Sequence, residues 1–229
     1  WISTFHAFGD RVLRDAAFEM GVSPDFQVLT KPEQIIFFRE HLFELPLDYY
    51  RPLSDPTKFI EALLTLINRI KDEDISPKAY LTYARSLKKR VKKNPKDLVF
   101  KEESRKADEI AALYETYQKL LLKEKKVDFG DQVYLTLELF RRHPSVLKKY
   151  RERFKYILID EFQDTNFAQF ELVRLLAASK GNVTVCGDDD QSIYKFRGAA
   201  ISNILSFINH YPKARQVVLT KNYRSTQRI

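Results

Sequence analysis

The sequence predicts an α/β fold: a mostly parallel sheet interrupted by a long, all-helical insertion. Three observations lead there. Between residues 156 and 219, three short apolar runs (156–160, 183–186 and 216–219) alternate with helical stretches at 167–178 and 201–209. That βαβαβ order belongs to a parallel sheet with crossover helices. From about residue 23 to 126 the periodicity is helical, and few β-branched runs or hairpin signals interrupt it. Finally, each apolar run ends in a polar, charged cluster. In a parallel sheet such clusters share one rim, where open α/β sheets bind their ligands.

Taken in order, residues 2–5 suit a short strand. Phe8, Val12, Ala16 and Met20 then recur every four residues and Gly21 follows, as in an amphipathic helix closed by a glycine. In the helical stretch, Thr30 with Glu33 forms a capping box. Asp55-Pro56 and Ser76-Pro77 each set a capping side chain before a proline at the first helical position. Phe59, Leu63, Leu66, Ile67 and Ile70 make one apolar stripe, Tyr80, Tyr83, Leu87 and Val91 a second, and Ile110, Leu113, Tyr114, Tyr117 and Leu121 a third. Asp128-Phe129-Gly130 copies the metal-binding tripeptide of protein kinases, but neither of that family's other signatures is present. It reads instead as a loop and helix cap leading into 133–140.

The 229 residues suffice for one large or two small domains. No apolar stretch approaches the roughly 20 residues that cross a bilayer, so no membrane partner is expected. The start lacks an initiator Met and any signal-peptide pattern, and the chain reads as a piece of a longer protein. One cysteine, Cys186, suits a reducing cytoplasm, and its place in the 183–186 run predicts a buried strand residue. The four histidines show no zinc spacing. The net charge of +8 favours an anionic partner, nucleic acid first. Ten basic residues, Arg85 to Lys106, crowd around Asn94-Pro95; they suit either a solvated helix end or a phosphate backbone.

The chemistry concentrates at the strand ends. Asp160-Glu161, directly after the first apolar run, suits a magnesium ion and an activated water beside a phosphate, although a bare acidic pair also suits a helix start. Gly187 to Asp190 follows the second run; its three carboxylates lack the alternation of a calcium loop. Thr220 to Thr226 follows the third.

Together these segments resemble the UvrD/Rep/PcrA-like superfamily-one DNA helicases. Ile159 to Asn166 is similar to their motif II. Gly187-Asp188, Asp190 to Tyr194 and Arg197-Gly198-Ala199 are similar to motif III, Asn222 to Thr226 to motif IV, and Ser3 to Phe8 to motif Ib. The resemblance implies a RecA-like, P-loop NTPase type sheet domain, incomplete here, called 1A, over 1–22 and 127–221. It implies an inserted helical subdomain, 1B, over 23–126, and the start of domain 2A at 222–229.

It also implies roles. Asp160 holds the magnesium of Mg-ATP and Glu161 orients the attacking water. Gln191 senses the γ-phosphate, Arg224 contacts it, and Tyr223 stacks on the adenine. Thr4 and His6 touch single-stranded DNA, Phe196 stacks on a base, and Arg197 helps hold the strand. Phe162 and Phe196 stand where the family more often has Tyr and Trp. No G-x-x-x-x-G-K-[ST] occurs in the chain, so the phosphate cradle and its Lys are expected upstream of residue 1.

The expectation is therefore a fragment of an ATP-dependent 3′–5′ DNA helicase that acts on single-stranded and duplex DNA, as in DNA repair, and is inactive alone. The alternatives are a non-catalytic nucleic-acid-binding or interaction module, and a metal-dependent nuclease using Asp160, Glu161 and the Asp188–Asp190 run.

Overall fold

A computed structural model of the chain describes residues 1–21, 23–94, 96–178, 181–188, 191 and 207–226. It combines eight α-helices with two pairs of short parallel strands among the described residues.

Helix α1 (Phe5–Asp15) starts at Thr4, whose hydroxyl accepts from the Ala7 N–H at 3.2 Å. The strand expected at 2–5 is therefore absent: Thr4 is extended only because it caps a helix. The helix also stops sooner than expected, and turns carry the chain to Gly21, which sits at φ +65°. The predicted face is right, because Val12 and Ala16 are buried.

Strand β1 (Gln27–Leu29) interrupts the region expected to be wholly helical. Three residues are too few to show an alternation, and the strand exists through its partner β2 (Lys126–Asp128), with Gln27 opposite Lys126 and Leu29 opposite Asp128. The two ends of the helical stretch are thus neighbours. Between them lie α2 (Lys31–Glu40), α3 (Ile60–Asp72), α4 (Pro77–Lys93) and α5 (Leu98–Lys123).

The Thr30–Glu33 capping box starts α2, and Ser76 caps α4 ahead of Pro77. Asp55-Pro56 does not start a helix. Asp55 Oδ1 accepts from the Thr57 N–H and hydroxyl at 3.1 and 2.9 Å in a local turn, and α3 begins five residues later. Phe37 and Phe38 of α2, Leu63 and Ile67 of α3, and Leu113, Tyr114, Tyr117 and Leu121 of α5 form one continuous core. Each large side chain buried there contributes about 1.5–3 kcal/mol. Ala84 and Leu87 of α4 pack on Ala107 and Ala111 of α5, small residues that let the two helices lie close.

A second core joins α1 to α6 (Phe129–Arg142), α7 (Pro144–Arg153) and α8 (Phe167–Ala177). Helices α1 and α6 lie in close contact at Gly9, where a Cβ would lie 2.1 Å from the Gln132 carbonyl oxygen. Asp128 caps α6, so the kinase-like tripeptide is the helix start expected of it. Its other carboxylate oxygen is fully buried against Lys71.

Strands β3 (Ile157–Ile159) and β4 (Val183–Val185) run parallel, Ile157 opposite Val183 and Ile159 opposite Val185. Phe162, Phe170, Val173 and Phe207 cover one side of this pair. The parallel pairing agrees with the expectation, and one face of the pair stays open: Leu158 is 76 % exposed. Cys186 is exposed rather than buried, because β4 ends one residue before it. The third predicted strand, 216–219, is not a strand. No described segment takes its hydrogen bonds, and Val217, Val218 and Leu219 stay largely exposed. Of the helix expected at 201–209, the described part, from 207 on, is helical.

Candidate nucleotide and nucleic-acid site

The paired ends of β3 and β4 build the site. Beyond Ile159 and Val185 the backbones stay tied: the Cys186 N–H donates to the Ile159 carbonyl at 2.8 Å, and the Phe162 N–H donates to the Cys186 carbonyl at 2.9 Å. Between these bonds lie Asp160 and Glu161. Glu161 adopts φ 50° and ψ 47°, the left-handed region that costs a non-glycine residue on the order of 1–3 kcal/mol. That conformation turns the chain sharply into a 3₁₀ turn, Phe162–Asp164, and projects both carboxylates outward. Asp160 Oδ1 accepts from the Glu161 N–H at 3.0 Å. The Asn166 side chain then caps α8, accepting from the Gln169 N–H at 2.9 Å.

The two strand ends are joined by side chains as well. Gln163, 1 % exposed, donates from Nε2 to Glu161 Oε2 at 2.6 Å and accepts at Oε1 from the Asp188 N–H at 3.0 Å. Gly187 permits this approach, since a Cβ there would lie 2.8 Å from Gln163 Oε1. Asp188 Oδ2 in turn accepts from Gln191 Nε2 at 2.6 Å.

A cavity of about 460 Å³ opens beside β3. Thr4, His6, Asp160, Glu161 and Asp164 supply its polar lining, and Ile159, Leu172 and Val173 part of its apolar wall. Residues from the start of the chain and from the β3 end thus meet around one space. Thr4 is engaged as the α1 cap. His6 stacks on Phe129 with ring centroids 3.7 Å apart, and burial pushes its imidazole down to about 4. It is therefore neutral at physiological pH and suited to stacking and hydrogen bonding rather than to charge pairing. One carboxylate oxygen of Asp164, Oδ1, is buried without a hydrogen-bond partner among the described residues.

The remaining candidates lie elsewhere. Tyr223 and Arg224 occupy an exposed turn in which Asn222 Oδ1 accepts from the Arg224 and Ser225 N–H groups at 2.8 and 3.1 Å. They do not line the cavity. Phe196, Arg197 and most of the motif III-like segment lie outside the described residues. Gln163 has no role that the sequence alone assigns. Its significance depends on the left-handed Glu161, which no local pattern announces.

The donor set around Asp160 suits a magnesium ion that keeps several waters and takes further oxygens from a substrate. Among the described residues no group of three or more His, Cys, Asp or Glu side chains encloses a metal. One or two carboxylates at a strand end are what a nucleotide-borne magnesium requires of a protein.

Residues 1–212 match the UvrD/REP helicase N-terminal domain. The chain belongs to this helicase family. It is 39 % identical over 230 residues to the ATP-dependent DNA helicase PcrA of Bacillus subtilis (strain 168). It is 37 % identical over 229 residues to that of Leuconostoc citreum, and 36 % to that of Staphylococcus aureus (strain Mu50 / ATCC 700699). Each match covers 100 % of this chain but only 27–28 % of the relative. Among the described residues no helix is long and apolar enough to cross a membrane.

Proposed function

We propose that the chain forms part of an ATP-dependent 3′–5′ DNA helicase that couples ATP hydrolysis to movement along single-stranded DNA and to duplex unwinding. In this reading residues 1–22 and 127–221 belong to the RecA-like domain 1A, 23–126 to the inserted subdomain 1B, and 222–229 to the start of domain 2A. Its partners would be single-stranded and duplex DNA, its compartment the cytoplasm, and DNA repair one setting for it.

The observation that carries the reading is the Asp160–Glu161 turn. Two carboxylates at a parallel strand end are turned outward by a left-handed backbone, and one of them, Glu161, is tied through Gln163 to the neighbouring strand end. Asp160 would hold the nucleotide's magnesium, which supplies charge neutralisation to the phosphates when bound. Glu161 would orient and polarise the attacking water. Gln191, which bonds Asp188 beyond β4, would sense the γ-phosphate. Tyr223 and Arg224 serve the adenine and γ-phosphate once their exposed turn meets the nucleotide from the far side. Thr4 and His6 would touch the single strand, and by the resemblance Phe196 would stack on a base and Arg197 help hold the strand.

The chain contains no P-loop motif, so turnover belongs to the longer protein. These residues alone behave as a nucleic-acid-binding module. The test is Glu161→Gln in the full-length protein. DNA-stimulated ATP hydrolysis should fall by roughly 10²–10⁴-fold, the usual worth of a general base, while ATP binding persists. An unchanged kcat would overturn the reading.

A further inference from the structure

We infer that Gln163 is a positioning residue that fixes the Glu161 carboxylate and couples it to the end of β4. The inference rests on the reading of Glu161 as the water-orienting group.

Its chemistry is unambiguous in direction. A carboxylate only accepts and a backbone N–H only donates, so a side-chain amide lying between them must turn Nε2 to Glu161 and Oε1 to Asp188. No other orientation satisfies both partners.

The need for such a residue follows from geometry. Glu161 is exposed, its backbone is in a region that L-residues rarely adopt, and its side chain has rotamers to spare. A carboxylate that must hold a water in line requires restraint to a fraction of an ångström. Gln163 provides it from a buried position, through a charge-assisted bond of 2.6 Å. The same amide continues the connection. Its Oε1 holds the Asp188 N–H, and the Asp188 carboxylate holds Gln191 Nε2. Glu161, Gln163, Asp188 and Gln191 therefore form an unbroken hydrogen-bonded path between the two strand ends. Gly187 is what lets the path close, because any side chain there would collide with the amide oxygen.

Two substitutions separate positioning from packing. Gln163→Leu removes both bonds. Gln163→Glu keeps an acceptor for the Asp188 N–H but cannot donate to Glu161 and sets a like charge beside it. Both are made in the full-length protein, with Glu161→Gln as control, and ATP turnover is measured at saturating single-stranded DNA. For both variants kcat should fall about 10- to 100-fold, the penalty of a displaced catalytic group, with KM for ATP within about threefold of wild type. A residue that merely anchors β4 would be rescued by Gln163→Glu, so wild-type kcat in that folded variant sinks the proposal. Should Gln163→Leu fail to fold, Gln163→Glu alone decides. If Glu161→Gln is inactive while both Gln163 variants turn over normally, only this inference fails. If Glu161→Gln is itself fully active, the reading beneath it fails.

Discussion

Lys71 Nζ lies 2.6 Å from Asp128 Oδ2, and neither side chain has appreciable contact with solvent. The two residues are 57 positions apart, one at the end of α3 and the other capping α6. Asp131 completes the cluster at 2.7 Å. Removing the cation leaves two carboxylates buried together. Lys71→Met should destabilise the chain by about 3–5 kcal/mol, the usual cost of breaking a buried pair on one side. The midpoint of urea unfolding, followed by circular dichroism, measures it. A destabilisation below about 1 kcal/mol would show that the cluster is not holding α3 to α6.

Asp72, next along α3, gives a pH dependence. Burial, with Glu73 adding to it, pushes its carboxyl up from 3.8 to about 7. Its Oδ1 accepts from Asn166 Nδ2 at 2.6 Å. Between pH 4 and 7 the folded chain keeps this proton while the unfolded chain releases it. Stability contributed at low pH is therefore lost as pH rises through that window. Asp72→Asn should flatten this part of the profile and raise stability at pH 8. Asp72 is only half-buried, so the gain is on the order of 1 kcal/mol after solvent screening. Thermal unfolding at pH 5 and pH 8 is the comparison, and an unaltered slope would refute the assignment.

Gly9 is required by a helix crossing rather than by a turn. Gly9→Ala puts a methyl group 2.1 Å from the Gln132 carbonyl oxygen and 3.1 Å from Thr136 Oγ1. Since the obstacle is backbone, α1 must move. The expected cost is about 1–3 kcal/mol, read from the denaturant midpoint. A neutral substitution would mean that α1 shifts freely along α6.

On the exposed face of α4, Arg85, Lys89 and Lys92 form a basic stripe opposite the buried Ala84 and Leu87. Other members of the basic cluster already have partners: Lys88 pairs with Asp108 at 2.9 Å, and Arg105 with Asp48 and Lys106 with Glu102 at 2.5 Å. Single-strand affinity should fall steeply with salt. Replacing the three stripe residues by Gln should lower the slope of log affinity against log salt by about 2, near 0.7 for each phosphate no longer neutralised. Fluorescence anisotropy with a labelled oligonucleotide across roughly 50 to 200 mM salt is sufficient. An unchanged slope would place the DNA elsewhere.

Much of the fold is legible in the sequence because local chemistry is self-reporting. The capping box at Thr30–Glu33, Ser76 before Pro77 and the apolar stripes of α3 and α5 specify helices whatever surrounds them. Where sequence and structure part, one cause recurs. Strand β1 is invisible in the sequence, and 216–219 looks like a strand without being one, because three or four residues become a strand only when a neighbour accepts their hydrogen bonds. Asp55-Pro56 has the chemistry of a helix start, yet the hydroxyl and N–H of Thr57 claim the carboxylate for a turn.

At the site the division is the same. That Asp160 and Glu161 follow an apolar run, that the chain is basic, and that four ordered segments resemble a helicase's motifs are all properties of adjacent residues, readable from the order of amino acids. Folding in three dimensions adds that Glu161 turns through the left-handed region, that Gln163 holds it, and that Asp188, 25 residues on, shares the same amide. Those relations arise where two parallel strands end side by side. The spacing along the chain does not encode that meeting; it is set by the register of β3 and β4 and by the one glycine, Gly187, that lets them close.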